Sequence, residues 1–378
     1  MNNRIKNTII FKSAKCHIKT FIIILLMISN IYIMLDFYLD NYNYNFEIVE
    51  HRLKEFNYIN YNELLPEQKL EIFRTKKFAI LRRLECPNCG FFSFYIVNLG
   101  CVFHYLSIGF IPIVDLQSYN NVYNNGNTSL KNPWEIFFNQ SFNYSLEEIK
   151  KYAKNIQYFE CKAKYRPSEI NIYYENKSII FWHNFAQKYM PIKNELINEA
   201  NIIMKKLFKD SNNILGVKIR GTDYISVRPK KHSIPPKIEQ VISDVQIMDE
   251  KYKYDYIFFA TEDEHLKKIF VPKFKTKIKL LNPNVIVKYD YSYKYKINLN
   301  ENIIGNLDYI KNYVLNIIIL SKCIDIVTSR CSGAAGIFIL TKGFRNSKVY
   351  NLGLMIIAHT NNINNIFIKI FIVKSIKY

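Results

Sequence analysis

The sequence predicts an α/β protein in which two domains with parallel sheets follow an N-terminal transmembrane helix. Three observations lead to this prediction. The 378 residues exceed the ~250–300 residues at which one hydrophobic core usually gives way to two domains. Beyond residue 76, short apolar runs of strand length alternate with helical patterns, as in parallel sheets. A composition with 49% hydrophobic and 15% aromatic residues excludes intrinsic disorder, a collagen-like rod and a small disulfide scaffold.

The N-terminus has the pattern of an uncleaved signal anchor. Residues 1–19 carry basic side chains and no acidic one, and residues 20–35 carry no charge. This uncharged run spans only ~24 Å of a ~30 Å hydrocarbon core, so Asp36 and the aromatic residues after it would lie in the far interface. We therefore predict a cytoplasmic tail over 1–19, a membrane helix over 20–39 and a stem over 40–75. The alternatives are a cleaved signal peptide and a buried core helix.

The segment from 76 to 210 has the pattern of a first α/β domain. Residues 78–84 have strand character, residues 91–106 form a long apolar stretch that suits a buried helix, and residues 111–116 have strand character again. Strand, helix and strand in this order are typical of a parallel α/β unit. An apolar run at 179–182 and an amphipathic helix at 193–208 close this half.

The segment from 211 to 378 predicts a doubly wound parallel sheet. Its short apolar runs lie at residues 214–219, 256–260, 278–281, 324–327 and 349–352. Helical patterns at 307–320 and 333–340 separate some of them. Buried strands of a parallel sheet are apolar throughout because helices cover both faces.

Polar residues follow three of these predicted strands. The clusters are Arg220-Gly-Thr-Asp223, Thr261-Glu-Asp263 and Ser329-Arg-Cys-Ser-Gly-Ala334. Ligands of open parallel sheets bind outside the carboxyl ends of the strands. A guanidinium matches phosphate oxygens, and Ser and Gly at a helix start expose N–H groups to an anion. Together the clusters predict a diphosphate site, as in an enzyme that uses a nucleotide sugar.

The order of these motifs resembles the donor-binding half of the fucosyltransferase superfamily. The motifs are LGVKIRGTD (215–223), HSIP (232–235), IFFATEDEHL (257–266) and LSKCIDIVTSRCSGAAG (320–336). The resemblance covers residues 213–352, and GFFS (90–93), the strand at 111–115 and NPWE (132–135) resemble the other half more loosely. It implies two Rossmann-like domains (GT-B), the first for the acceptor and the second for the donor. It also implies inverting fucosyl transfer from GDP-fucose to a glycan or glycoprotein hydroxyl, without metal or cofactor.

The resemblance also implies roles for individual residues. Arg220 would hold the β-phosphate and stabilise the departing diphosphate, and Asp223 would support its loop. Of the remaining site residues, Gly221 would let the backbone approach the ligand and His232 follows the Arg220 loop. Glu262 and Asp263 would face the guanine or the ribose, and Ser332 and Gly333 would donate hydrogen bonds to the diphosphate.

Three positions depart from the family pattern. Lys218 stands where members carry His, and Gly221 stands where some carry a second Arg. The carboxylate that acts as base in the core α1,6 enzymes falls near Arg228, so another group must accept the proton. Asp223, Glu262 and Asp115 are the candidates. A catalytically inactive glycan- or nucleotide-binding protein and a transferase for another nucleotide sugar stay open as alternatives.

The net charge of +20 does not by itself indicate a nucleic-acid partner. Fifty-two basic side chains stand against thirty-two acidic ones, but they are spread along the chain without a long Lys/Arg block. The resemblance and the N-terminal apolar run instead give a nucleotide sugar, a glycan acceptor and the membrane as the expected partners. The expected location is a type II membrane protein, in a Golgi-like compartment if the source is a eukaryote.

Several other residues invite a functional interpretation. Cys86 and Cys89 fit half a zinc site, a disulfide or two free thiols, whereas the other cysteines are isolated in the sequence. We expect His104, Trp134 and the phenylalanines that follow Trp134 to be core residues. Sequons that mildly favour a lumenal location start at Asn127, Asn139, Asn143 and Asn176.

Overall fold

The computed structural model describes residues 64–87, 89–124, 126–129, 131–221, 232–281 and 307–354. The predicted tail and membrane helix, residues 1–39, and most of the predicted stem lie outside this part of the chain. Within the described ranges, no helix is long and apolar enough to cross a membrane.

The described residues divide into two compact units, neither of which is one continuous stretch of chain. Unit 1 contains residues 64–202, 307–321 and 335–343, and unit 2 contains residues 203–281, 322–334 and 344–354, with the gaps given above.

Unit 1 is built on a three-stranded parallel sheet. Its strands are β1 (Lys77–Arg82), β2 (Ile111–Val114) and β3 (Asn155–Glu160), in the order β2-β1-β3. The predicted strands at 78–84 and 111–116 are confirmed with shorter bounds. Strand β3 was not predicted, because its NIQYFE segment has no apolar run and half of its residues are exposed.

The helices that lie wholly or partly in unit 1 are α1 (Pro66–Thr75), α2 (Phe91–Ser107), α3 (Trp134–Phe137), α4 (Leu146–Tyr152), α5 (Glu169–Tyr174), α6 (Asn176–Tyr189), α7 (Asn194–Phe208), α10 (Leu307–Ser321) and α11 (Ser332–Leu340). The apolar run at 179–182 lies inside α6. Helix α7 ends in unit 2, and α11 begins there and ends in unit 1.

Helix α2 is the centre of unit 1, and almost all of its residues are buried. It is apolar all round, which is typical of a helix enclosed by protein. Gly100 sits where a Cβ would lie 1.6 Å from the carbonyl oxygen of Tyr165, so only glycine permits this contact. A disulfide between the buried Cys101 and Cys161 ties α2 to the residue after β3.

The structure decides between the alternatives that the sequence left open for Cys86 and Cys89. They form a disulfide, and are neither two free thiols nor half of a zinc site. Cys101 and Cys161 are isolated in the sequence but paired in space, because α2 and β3 bring positions 60 residues apart together.

Unit 2 contains a five-stranded sheet in which all strands are parallel, and this confirms the prediction of a parallel α/β sheet. Its strands are β4 (Ile214–Lys218), β5 (Tyr256–Ala260), β6 (Ile278–Lys279), β7 (Asp325–Ser329) and β8 (Asn346–Tyr350). Their order is β6-β5-β4-β7-β8. Strands β5 and β6 are added in turn on one side of β4, and β7 and β8 are then added in turn on its other side. This is the strand order 3-2-1-4-5 of doubly wound nucleotide-binding sheets.

Helices α8 (Ile238–Tyr252) and α9 (Glu264–Phe270) cover one face of this sheet. Val241 and Val245 of α8 belong to the same buried cluster as Leu215 and Val217 of β4. The ring of Phe259 on β5 stacks on that of Phe270, the last residue of α9, at 4.2 Å between centroids. This packing fixes the strands and thus the loops at their carboxyl ends.

A buried carboxylate anchors the opposite, amino-terminal edge of the unit 2 sheet. Asp325 at the start of β7 accepts hydrogen bonds from the Arg345 guanidinium, the Tyr254 hydroxyl and the Asn346 N–H. Burial would raise the pKa of Asp325, but these hydrogen bonds outweigh it, so its pKa lies below the ordinary value. This cluster is structural and leaves the carboxyl edge as the place for a ligand.

Candidate functional site

The strand order locates the candidate site at the carboxyl ends of β4 and β7. These neighbouring strands are the point where the order reverses, and ligands of doubly wound sheets bind outside it. The Thr328 hydroxyl on β7 donates to the carbonyl oxygen of Lys218 on β4 at 2.9 Å. The backbone nitrogen of Arg220 lies 3.5 Å from the Ser329 hydroxyl. The loops carrying Arg220 and Ser329 thus leave the sheet side by side.

The loop after β4 also packs against the loop after β5. A Cβ on Gly221 would lie 2.2 Å from a carboxylate oxygen of Asp263, so glycine is needed here for contact within the protein. Asp263 is only 3% exposed, and its other oxygen accepts from the N–H groups of His265 and Leu266 as the N-cap of α9. The predicted ligand contacts of Gly221 and Asp263 stay predictions; the structure gives both a packing role.

A buried ion pair joins the end of β4 to the loop after β5. The Lys218 ammonium lies 3.0 Å from one carboxylate oxygen of Glu262, and their side chains are 2% and 15% exposed. The second oxygen of Glu262 is buried and has no hydrogen-bond partner among the described residues. Burial would raise the pKa of Glu262, but the charges of Lys218 and Arg220 outweigh it, so its pKa lies below the ordinary value. The carboxylate is therefore held ionised near Arg220.

Sequence reasoning treated Lys218 only as a departure from a family pattern. Its signal was a charged residue at the end of the otherwise apolar run ILGVK. A buried lysine is rarely tolerated without a partner, so this position predicts a carboxylate nearby. The identity of that carboxylate could not be read off, because 44 residues separate Lys218 from Glu262.

The third cluster starts helix α11 directly after β7. Ser332 is half-buried and Gly333 is buried, and the N–H of Ala334 lies 3.4 Å from the Cys331 sulfur. The Arg330 guanidinium donates to the Asn351 side-chain oxygen, which follows β8. The start of α11 therefore stands at the carboxyl edge of the sheet, as predicted for Ser332 and Gly333.

The remaining predicted site residues are Asp223 and His232. Asp223 lies in residues 222–231, outside the described part of the chain. His232 is exposed, and the residues after it run beside the segment after β8: Ser233 forms a bridge with Leu354, and the Ile234 N–H donates to the Gly353 carbonyl at 3.0 Å. A role for His232 or Asp223 in binding or catalysis stays a prediction.

Asp115, a candidate base in the sequence analysis, is a structural residue of unit 1. Its carboxylate is fully buried after β2. One oxygen accepts from the Arg82 guanidinium at 2.8 Å, and the other accepts from the N–H groups of Gln117 and Ser118 at 2.9 Å each. A carboxylate enclosed and engaged in this way is unsuited to take a proton from a substrate hydroxyl.

Trp134, Phe137 and Phe138 are buried in the core of unit 1, as the sequence analysis predicted. His104 is half-buried rather than a core residue. Its ring stacks on that of Tyr165 at 4.6 Å, and partial burial lowers its pKa. Within the described ranges, no group of three His, Cys, Asp or Glu side chains is arranged to hold a metal ion.

No protein-family model matches the chain, and no curated protein sequence matches it. Among solved structures, the chain is similar to NodZ alpha-1,6-fucosyltransferase soaked with GDP-fucose, with 12% identity, a TM-score of 0.40 and 71% of this chain covering 93% of that one. It is similar to POFUT1 in complex with GDP, with 9% identity, a TM-score of 0.42 and 72% covering 98%. It is also similar to fucosyltransferase NodZ from Bradyrhizobium, with 11% identity and a TM-score of 0.41, and 71% of this chain covers 94% of that one. At this degree of likeness, the function of those proteins does not transfer to this chain.

Proposed function

We propose that this protein is a glycosyltransferase that binds a nucleotide sugar at the carboxyl edge of the unit 2 sheet. The observation that carries the proposal is the reversal of strand order between β4 and β7, with Arg220 in the loop that leaves it. The start of α11 lies at the end of β7 and presents backbone N–H groups at the same edge. A guanidinium and a helix start at such an edge suit a diphosphate.

The proposed roles of Arg220 and the start of α11 follow from the charge of the diphosphate leaving group. As the glycosidic bond to the diphosphate breaks, negative charge builds on the departing phosphate oxygen. Arg220 and the N–H groups of Ser332 and Gly333 would stabilise this charge in fixed positions. These residues supply the positive field themselves, and on this ground we propose a metal-independent reaction.

Glu262 suits a binding role better than proton transfer. An efficient base needs a pKa close to the working pH, and the pKa of Glu262 lies below its ordinary value. Its unpartnered carboxylate oxygen is suited to accept a hydrogen bond from the nucleobase or the ribose. Asp115 is also unsuited to be the base, because its carboxylate is hydrogen-bonded within unit 1. Of the three candidates, we therefore propose Asp223 as the base.

The finer assignment rests on the motif order from residue 213 to 352. We propose GDP-fucose as donor, inversion at the anomeric carbon, a glycan or glycoprotein hydroxyl as acceptor, and a GT-B enzyme anchored in the membrane by residues 20–39. The alternative is a binding protein of the same fold without transferase activity. The absence of an acid at Arg228 favours this alternative.

The test is incubation of the purified full chain with GDP-fucose and a glycan panel in EDTA. Transfer, or slow hydrolysis of the donor, is expected, and GDP-mannose and UDP-galactose in parallel reactions define the donor. If the protein neither transfers the sugar nor hydrolyses the donor, with any of the donors, the proposal is contradicted. GDP binding by calorimetry without any turnover would select the binding-protein alternative.

A further inference from the structure

The amino-terminal edge of the unit 2 sheet is one continuous surface, opposite the candidate site. The segments that lead into β4, β5, β6 and β7 lie side by side at this edge. Backbone hydrogen bonds of 3.0–3.1 Å join them, with the donor first in each pair: Asp255 to Asn213, Ile257 to Lys277, and Ile324 to Ile214. Because these bonds link neighbouring strands at their starts, the side chains of the four segments share one face.

Exposed lysines lie all along this surface. Six of them are Lys206, Lys209, Lys251, Lys253, Lys275 and Lys322. None of the six forms an ion pair with a described carboxylate. The exposed acids described here are Asp210, Glu250 and Asp255, and Asp255 already accepts from the Ser211 hydroxyl at 2.6 Å. The fold therefore collects an excess of positive charge at this edge, although basic residues are spread along the sequence.

Helix stability accounts for only part of this charge. The helix dipole favours a cation in the last turn, as with Lys206 of α7 and Lys251 of α8. Lys209 and Lys253 instead follow the last residues of these helices, with φ of 50° and 53°. Glycine is the common residue in this left-handed region, so lysine stands at both helix ends despite a conformational cost.

The geometry of the edge suits a diffuse anionic surface better than a single phosphate or a nucleic acid. Helices α7, α8 and α10 end here, and the partial negative charge of helix C-termini opposes a closely bound anion. The guanidinium of Arg345 is engaged by Asp325 and lies over the Tyr252 ring at 4.7 Å. Neither group is thus available for bidentate phosphate binding or base stacking. The lysines, on long flexible stems, reach outward from the edge.

We propose that the amino-terminal edge of the unit 2 sheet rests on the anionic lipid headgroups of a membrane. Each lysine near such a surface adds to the attraction, and no defined pocket is needed. Because the candidate site lies at the opposite edge of the same sheet, this contact turns that site away from the bilayer. The charge of the edge stands by itself, whereas the tether rests on the proposed function: residues 40–63 span at most ~80 Å when extended, so the edge can reach the membrane that holds residues 20–39.

The test measures how fast individual lysines of the full chain react with a neutral acylating reagent, read by peptide mass spectrometry. The chain is incorporated into nanodiscs of phosphatidylcholine, with or without phosphatidylglycerol. At low salt, Lys253, Lys275 and Lys322 are expected to react about threefold more slowly in the anionic discs than in the neutral ones. At high salt the difference should vanish, because salt screens exposed charges.

Lys237 is the matched control for Lys253. Both are exposed, but Lys237 precedes the first residue of α8 and Lys253 follows its last, so ~24 Å separates them. The reaction of Lys237 should not depend on the lipid. Lys253→Glu is expected to reduce the lipid-dependent difference at Lys209 and Lys275 by about half, and Lys237→Glu should leave it unchanged. Circular dichroism verifies that both variants are folded.

Three results would overturn the assignment: equal reaction of the edge lysines in both kinds of disc, the same lipid dependence at Lys237, or protection of the edge lysines by duplex DNA or single-stranded RNA but not by anionic discs. A chain that does not enter the discs contradicts the proposed anchor instead. Flotation with preformed vesicles then tests the edge, with salt-sensitive recovery expected on anionic vesicles only, and no recovery would overturn the proposal. GDP binding is measured in detergent without a bilayer, so failure of the donor-site proposal is seen separately.

Discussion

The buried pair of Lys218 and Glu262 should make Lys218→Met strongly destabilising. Removing the ammonium leaves an ionised carboxylate, only 15% exposed, without its partner at 3.0 Å. Breaking a buried pair in this way costs about 3–5 kcal/mol. The double variant Lys218→Met, Glu262→Gln removes both charges and should recover most of this loss, because no uncompensated charge stays buried.

The assay is urea unfolding of the wild type, both single variants and the double variant, followed by circular dichroism. The control is Lys277→Met, which breaks the ion pair with Asp249 in the same unit, where the side chains are 35% and 20% exposed. Its cost should stay below about 1 kcal/mol because solvent screens the pair.

The pH dependence gives a second readout of the same pair. Without Lys218, burial acts on Glu262 unopposed by that charge, so the pKa of Glu262 rises. The deficit of Lys218→Met should therefore shrink as the pH falls and Glu262 becomes neutral. The reasoning is refuted if Lys218→Met costs less than about 1 kcal/mol and the double variant equals the sum of the two single ones.

Further outcomes are expected at other residues. Arg220→Ala should weaken GDP binding about 10- to 100-fold in calorimetry while circular dichroism stays unchanged; unchanged affinity would show that Arg220 is structural. Gly221→Ala should cost about 1–3 kcal/mol in urea unfolding, because its Cβ would overlap Asp263. Acid should lower the thermal midpoint, because the pKa of Asp325 is lower in the folded than in the unfolded protein. The ionised Asp325 therefore stabilises the fold above its ordinary pKa, and this stabilisation is lost as the pH falls through its folded-state pKa. A midpoint constant from about pH 6 to about pH 3 would contradict this. Cys101→Ser should cost about 4 kcal/mol, since its disulfide closes a loop of 60 residues, and a loss below about 1 kcal/mol would argue against that bond.

The sheet of unit 2 was largely predictable because its strands are buried on both faces and are therefore apolar throughout. The runs at 214–219, 256–260 and 324–327 contain or overlap β4, β5 and β7 with small shifts. Strand β3 was not predictable, because it lies at an edge with Tyr158 exposed and carries no apolar run.

For the candidate site, the sequence could indicate which loops follow strands but not what those loops touch. The contact between Gly221 and Asp263 and the pair of Lys218 with Glu262 depend on β4 lying next to β5. The hydrogen bonds that Glu135 accepts from Gln140 and Leu146 likewise depend on the folded arrangement of these residues. Such pairings are set by tertiary structure, and no local pattern encodes them.

The division of the chain between the two units bears on how the protein can be made. Unit 1 receives residues as late as 335–343, and unit 2 receives residues on both sides of that stretch. On the ribosome, most of unit 1 emerges well before its last helix, which must wait until strand β7 has been synthesised. A truncation after residue 210 would leave the first unit without α10 and most of α11. Truncated or split versions of the gene should therefore yield poorly soluble protein.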